Sequence, residues 1–434
     1  MRALTRQEIT QMRFVPFIHR FVFIVAISCV AAFSCFLTIA HAGIQPPWEA
    51  GLSKGEDLDV EIYTFGPGPS LEEWWGHIGL KFRDNRLKYE IMYNWGMFSF
   101  DEQLIRNFIT GRLRFWIGAE PVLPTVSFYR RQGRVIHAIP LQLTPEQKIK
   151  LAGIVATNMR PENREYDYEY IRDNCSTRIR DLVNILQDGT LAKTAKGQKG
   201  KDTFRGHINK VTANSLGMNL LINFLLGPSV DAHNSRWDDM FLPGELEEYF
   251  VEQQTKLFDK KGSASITGPV RVINQGKLDY PKFPILYFPW DIGASLLISL
   301  AIILNTSLRT KLPRTAKALL VLETSIVAFV LGSVGTFLLF FNLFTWHTYT
   351  FWNENLFFGN PLTLALVPLA IVSLSKNLWA QKWTYRTLTL LCGLALVGVL
   401  FKTLPISTQD NWIFVRTIFP ILFATLWSWR KQKE

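Results

Sequence analysis

The hydrophobic rhythm of the chain changes along its length. From Asp59 to Thr64 apolar and polar residues alternate, and His77-Ile78-Gly79-Leu80-Lys81-Phe82 repeats the pattern with Ile78, Leu80 and Phe82 on one face. Period two predicts half-buried strands. Arg83-Asp84-Asn85-Arg86 supplies a turn and Tyr89 to Trp95 a returning strand. Two helices follow. Thr144-Pro145-Glu146-Gln147 starts one, with the threonine as N-cap and proline at the first helical position. The other begins near Asn174 and places Ile179, Leu182, Val183 and Leu186 at helical spacing. Ala192 to Lys201, rich in lysine and glycine, reads as a mobile loop, and no internal repeat is visible.

After Pro284 the rhythm gives way to long apolar spans at 287–305, 318–341, 361–375, 387–404 and 412–429. The loops between them alternate. Ser307–Lys317, Lys376–Arg386 and the tail from Arg430 are basic, whereas Asn342–Asn360 and Pro405–Asn411 hold no lysine or arginine. By the positive-inside rule the basic segments are cytoplasmic and the other two loops face outward. At the N-terminus four arginines precede the apolar run Phe21–Ala40, and Ala40-His41-Ala42 resembles a cleavage site. Residues 1–42 therefore read as a signal peptide or uncleaved anchor, 43–284 as an exported domain, and 285–434 as a membrane domain. The fold class is α+β for the exported part, followed by an all-α bundle of five transmembrane helices.

Charge fits this division. The chain carries 47 Lys+Arg against 36 Asp+Glu, yet Gly43–Pro284 holds 31 against 30, so the excess flanks the apolar segments. That removes the main argument for a nucleic-acid partner. Four cysteines in 434 residues rule out a disulfide scaffold.

Cys29, Cys35 and Cys392 lie in apolar spans, where a cysteine acts as a small hydrophobe. Cys175 is the single cysteine of 43–284 and opens a helix in the polar run Arg172-Asp173-Asn174-Cys175-Ser176-Thr177-Arg178. At that position the helix N-terminus favours a thiolate, and its free N–H groups can stabilise an oxyanion. A buried structural cysteine is the competing reading. His137 and His207 read as structural. His77 opens a strand between Gly76 and Gly79, which let a backbone or substrate approach, and it points away from the apolar face. For His77 both a surface role and pairing with Cys175 stay open. Gly66-Pro67-Gly68-Pro69 lacks the context of a phosphate cradle. The carboxylates of Asp238, Asp239, Glu245, Glu247 and Glu248 lack histidines at ligand spacing, so neither a metal nor another cofactor is expected.

The blocks Trp75-Gly76-His77-Ile78-Gly79-Leu80, Tyr93-Asn94-Trp95-Gly96-Met97-Phe98, Arg172 to Arg178 and Asp239-Met240-Phe241-Leu242-Pro243 resemble the Lnb-type bacterial lipoprotein N-acyltransferases. So does the outward loop His347–Asn355 followed by Pro361. The order of histidine before cysteine, with Asn174 directly before Cys175, is also similar to lecithin:retinol acyltransferase relatives. That resemblance implies a permuted papain-like exported domain, with His77 as base and Cys175 as nucleophile. It implies an acyl chain passing from a phospholipid donor, through a cysteine thioester, to the N-terminal amine of a diacylglyceryl-cysteine lipoprotein. The protein would then sit in the bacterial inner membrane as a multi-pass chain with its catalytic domain in the periplasm. Asn94 and Tyr93 are the candidates for a third group orienting the histidine.

Trp346 and Trp352 read as an aromatic belt. His347, Asn353 and Asn355, with Lys402 and Arg416 near the outward interface, form a candidate lipid-headgroup site; snorkelling is the alternative for the two cations. Two other function classes fit parts of the chain. A papain-like cell-wall peptidase or amidase would explain Cys175 but needs only one anchor. A non-enzymatic membrane receptor would tolerate loss of Cys175.

Overall fold

The computed structural model describes residues 46–258, 266–309 and 311–431, of which Lys54–Glu434 form one compact unit. The expected signal segment, with Cys29 and Cys35, lies outside the described residues.

The strands are β1 (Leu58–Phe65), β2 (His77–Asp84), β3 (Tyr89–Met97), β4 (Leu113–Glu120), β5 (Ile136–Pro140), β6 (Glu165–Tyr168), β7 (Lys199–Thr203), β8 (His233–Ser235) and β9 (Arg271–Asn274). Seven of them form one sheet in the order β6-β4-β3-β2-β1-β5-β9. The helices longer than one turn before the membrane part are α1 (Glu102–Thr110), α2 (Val122–Arg131), α3 (Pro145–Met159), α4 (Cys175–Leu186), α5 (Thr190–Lys196), α6 (Phe204–Val211), α7 (Leu216–Leu225) and α8 (Pro243–Phe258). Those that follow are α9 (Trp290–Leu304), α10 (Pro313–Phe344), α11 (Leu366–Ser373), α12 (Leu378–Phe401) and α13 (Trp412–Arg430).

Period-two patterning correctly locates β1, β2 and β3, but the sheet is covered more fully than alternation implies. Ile78, Leu80 and Phe82 are buried as expected. The opposite face is closed by Tyr63, Phe65 and Met92 packing with Val122 and Val126 of α2. Lys81, which belongs to that face, is tolerated because Glu61 and Glu90 lie 3.4 and 3.2 Å from its ammonium. Helix α3 begins at the predicted N-cap, with Thr144 accepting from the Gln147 N–H in a capping box. Ile179, Leu182, Val183 and Leu186 are the buried stripe of α4, which lies against β2 and β3.

Ala192–Lys201 is not the loop that its composition suggests. It forms the end of α5 and the start of β7, and β7 pairs with β8. The reason is distant in sequence. The Lys201 ammonium is 3.0 Å from Glu245 and also bridges Glu248, while its N–H donates to Asp239 at 2.7 Å. The same carboxylates hold His207 (2.8 Å to Asp239) and Arg236. A cluster that reads as acidic is thus neutralised internally.

Among the described residues, five segments are long and apolar enough to cross a membrane: Trp290–Leu308, Pro313–Phe344, Glu354–Ser373, Leu378–Phe401 and Trp412–Arg430. A mixed sheet-and-helix domain therefore precedes five candidate membrane-spanning helices. The third span is not a continuous α-helix; short 3-10 turns at Glu354–Phe357 and Pro361–Ala365 precede α11. Non-helical backbone at membrane depth must be buried in protein. Gly332 and Gly335 of α10 provide the space, since a Cβ on Gly335 would lie 2.4 Å from the Gly359 carbonyl oxygen.

Helix α7 joins the two parts. Its Phe224 packs among Leu338, Phe358 and Phe414. Its C-terminal carbonyls would be orphaned there. Asn353 Nδ2 donates to the oxygens of Phe224 and Leu225 at 3.0 and 2.9 Å, Asn355 Nδ2 to Phe224 at 2.8 Å, and Gln409 Nε2 to Leu226 at 2.9 Å. Side-chain amides from outward loops therefore cap a helix of the preceding domain. Because Asn355 is fully buried, Asn355→Ala is expected to cost about 1–3 kcal/mol. Thermal unfolding in detergent should show a lowered Tm, and an unchanged Tm would deny the cap its structural weight.

Candidate active site

The entry to β2 is shaped by Gly76, whose φ of +75° is left-handed and suits glycine. The Tyr280 hydroxyl fills the space where a Cβ would stand and donates to the Trp75 carbonyl at 2.9 Å. The half-buried His77 ring then lies against Phe65 and Tyr129, each with its centroid 6.0 Å away.

His77 Nε2 is 3.1 Å from Asn94 Oδ1, and Asn94 Nδ2 donates to Glu120 Oε2 at 3.1 Å. The second bond fixes the first. A carboxylate only accepts, so it takes the amide NH2 and turns Oδ1 towards the ring. Nε2 must then carry the proton, which leaves the Nδ1 lone pair available. Asn94 is 1 % exposed. Gly79 stands opposite Asn94 in the β2–β3 ladder, and a Cβ there would be 2.7 Å from Asn94 Oδ1 and 2.9 Å from Met92 Sδ. The two glycines beside His77 thus admit a tyrosine hydroxyl and an amide of the protein itself.

Asn174 is the N-cap of α4. Its Oδ1 accepts from the N–H groups of Ser176 and Thr177 at 2.9 and 3.0 Å, and its Nδ2 donates to the carbonyls of Tyr170 and Phe241. Ser176 Oγ donates to the Met240 carbonyl at 2.8 Å. The Asp239–Pro243 block thereby locks the start of α4 and the half-buried Cys175 that opens it. The Cys175 thiol faces the N–H of Ile78, the residue after His77, as well as those of Ser176 and Cys175 itself. The start of α4 therefore lies against the entry to β2, with the Cys175 thiol at the backbone of the residue that follows His77.

The electrostatics of this corner differ from the sequence expectation. Burial pushes the Cys175 thiol up to about 11, against the opposing pull of the Ile78, Ser176 and Cys175 N–H groups and of Arg134. Burial, together with the Arg134 charge, lowers His77 to about 4, although the Asn94 bond works the other way. At neutral pH the resting pair is a thiol and a neutral imidazole, not a thiolate and an imidazolium. A helix N-terminus lowers a thiol only while the site stays wet, and here desolvation wins. Two of the N–H groups considered for an oxyanion, those of Ser176 and Thr177, are taken up by the Asn174 cap.

Arg134 and Glu120 escaped the sequence reading. Arg134 is 1 % exposed, donates through Nε to the Gly66 carbonyl at 2.6 Å, lies 3.6 Å from Glu73 and stacks over Tyr129 at 4.5 Å. Glu120 ends β4, two places along the ladder from the partner of Asn94. Strand pairing was the signal for Glu120; none marked Arg134. Tyr93 lies on the opposite face of β3 from Asn94, edge-on to Phe82 at 5.7 Å.

Of the groups expected at a lipid headgroup, Asn353, Asn355 and Lys402 are tied into one network through Gln409 and Glu354, whereas His347 and Arg416 bond elsewhere. Asn353 and Asn355 cap α7. The Lys402 ammonium is 2.7 Å from Glu354, and Arg416 Nε is 2.6 Å from Asp291. His347 bonds to the Phe108 carbonyl at 2.7 Å and to the Tyr170 hydroxyl at 3.2 Å. Buried polar groups must be paired, and these find their partners within the chain. Trp346 and Trp352 are exposed, as a belt requires.

No curated protein and no solved structure matches the chain significantly. A family model does match, that of the Lnb N-terminal periplasmic domain, over residues 45–209. The matched stretch contains His77, Asn94, Glu120, Arg134 and Cys175. Residues 45–209 thus match the Lnb N-terminal periplasmic domain family, on a chain whose described residues hold five candidate membrane spans.

Proposed function

We propose that the protein is a membrane-bound N-acyltransferase that uses Cys175 as nucleophile and His77 as base. The observation that supports this reading is a thiol at a helix start facing the Ile78 N–H, next in the chain to a neutral imidazole whose Nε2–H is held by Asn94, itself held by Glu120. The donor is a phospholipid and the acceptor the N-terminal amine of a diacylglyceryl-cysteine. Both lie in the outer leaflet of the inner membrane, and a domain fastened to five spans through α7 meets them without extracting them from the bilayer.

In the first half-reaction Cys175 Sγ attacks the ester carbonyl while His77 Nδ1 takes the thiol proton. The Ile78 and Cys175 N–H groups are the donors suited to the oxyanion. Collapse breaks the ester C–O bond, and the imidazolium returns its proton to the leaving lysophospholipid oxygen. In the second, the amine attacks the thioester, a C–N bond replaces the C–S bond, and the amine's proton passes by way of His77 to the departing thiolate. Proton and acyl group both balance. At neutral pH the imidazole is unprotonated and so free to accept the thiol proton.

Asn94 is a positioning residue in this scheme. Asn94→Ala should lower kcat about tenfold, the worth of one hydrogen bond of roughly 1.4 kcal/mol. Gly79→Ala should do the same by pushing the amide aside. Wild-type kcat in Gly79→Ala would remove Asn94 from the mechanism.

The function is tested with purified protein, a defined phospholipid and a synthetic diacylglyceryl-cysteine peptide. The peptide should gain one fatty-acyl mass for each lysophospholipid formed. Cleavage of the peptide backbone would favour the amidase reading, and no change in either substrate would oppose both.

A further inference from the structure

Helix α1 presents a sharply divided surface. At 3.6 residues per turn Leu104, Ile105, Phe108 and Ile109 fall within an arc of about 140°, with Gln103, Arg106, Asn107 and Thr110 opposite. Ile105, Phe108 and Ile109 are 64, 52 and 44 % exposed, and Phe100 just before the helix is 81 % exposed. No residue of α1 is buried. In a soluble domain such a face would be covered.

Its surroundings say what covers it. The C-terminus of α1 is pinned to the end of α10 that is predicted to face outward. The Trp346 N–H donates to the Thr110 carbonyl at 2.9 Å, His347 Nε2 donates to Phe108 at 2.7 Å, and Arg112 stacks over the Trp346 ring at 4.4 Å. Gly111 permits this approach, since a Cβ there would be 2.8 Å from the His347 nitrogen. The exposed Leu343, Phe344 and Trp346 continue the lipid-facing surface of a membrane span straight onto α1. From Phe100 a row of rings runs inward: Phe98 at 4.9 Å, Phe115 at a further 5.0 Å, Tyr168 at a further 4.3 Å. Tyr168 Cε2 and Cys175 Cβ each lie 3.9 Å from the point where a Cβ on Gly96 would stand.

We infer that α1 is an interfacial helix seated in the outer leaflet, and that the aromatic row from Phe100 to Tyr168 is the path by which a lipid acyl chain reaches Cys175. Helices of this kind bury their apolar face about 5–10 Å below the headgroups. The path rests on the acyltransferase reading; the seat in the leaflet does not.

Two measurements separate them. The full chain, with its native cysteines replaced by alanine, carries a nitroxide at Ile105→Cys or, as control, at Gln103→Cys, in vesicles of phosphatidylethanolamine and phosphatidylglycerol. The Ile105 label should be accessible to oxygen and shielded from a water-soluble nickel chelate, and the Gln103 label the reverse. Water-like accessibility at both would overturn the seat. In the active chain, Phe100→Asp should slow transfer at least tenfold both from vesicle phospholipid and from a monomeric short-chain phospholipid, since either acyl chain must pass the row that Phe100 opens. Unchanged transfer from both donors, or loss with the vesicle donor alone, would overturn the path. If the unaltered protein used neither donor, the acyltransferase reading would fail, and with it the path, whereas the label result would still decide the seat.

Discussion

Cys175→Ala is expected to abolish lipopeptide acylation, by about 10³- to 10⁶-fold, the range for removing a nucleophile on which the rest of a site depends. The fold should survive. The start of α4 is held by Asn174, Ser176 and the Met240 and Phe241 carbonyls, none of which involves the thiol. The variant should therefore express, unfold within a few degrees of wild type and still bind vesicles. A receptor would keep its ligand affinity after this substitution and show no turnover to lose. Retained acylation in the alanine variant would exclude Cys175 as the nucleophile.

The second large effect is that of His77→Gln, about 10²- to 10⁴-fold on kcat/KM. Its pH profile is more telling than its size. Because burial and Arg134 bring His77 to about 4, the acid limb of kcat/KM should lie near 4, well below the ordinary histidine value near 6.5, and vanish in the variant. Alkylation of Cys175 by iodoacetamide should keep rising with pH well beyond 8, since the thiol is pushed up to about 11. A plateau already at neutral pH would reveal a preformed thiolate–imidazolium pair and contradict the neutral resting state. Stability carries the same signature. A histidine lowered on folding binds more protons in the unfolded chain between about 4 and 6.5, so its contribution is intact above 6.5 and is lost as pH falls towards 4. Wild type should lose stability over that window, and His77→Gln should lose less.

What the sequence revealed and what it concealed follow one physical division. Strands β1 to β3, the cap of α3, the stripe of α4 and the lipid-length spans are written in neighbouring residues, as period, cap and length. The cap that places Cys175 is equally local, because Asn174 adjoins it. Lys201 was misjudged because its partners Asp239, Glu245 and Glu248 are dozens of residues away. Glu120 gains its place only when β4 pairs with β3, and Arg134 only when it reaches the Gly66 carbonyl. The protonation of Cys175 was misjudged for a different reason: a helix N-terminus is visible in a sequence, whereas the desolvation that overrides it is not. Asn353 and Asn355 read as polar groups left over for a ligand, because the carbonyls of α7 that they satisfy lie about 130 residues earlier.

The central claim, a thioester on Cys175, is open to direct observation. Wild-type protein incubated with a defined phospholipid and no acceptor is digested and weighed by mass spectrometry. The peptide containing Cys175 should gain the mass of the donor's fatty acyl group. Hydroxylamine should remove it, the diacylated peptide should chase it into product, and Cys175→Ala should lack it. An unmodified Cys175 peptide in protein that nonetheless acylates the lipopeptide, or an acyl group on any other residue, would contradict the account.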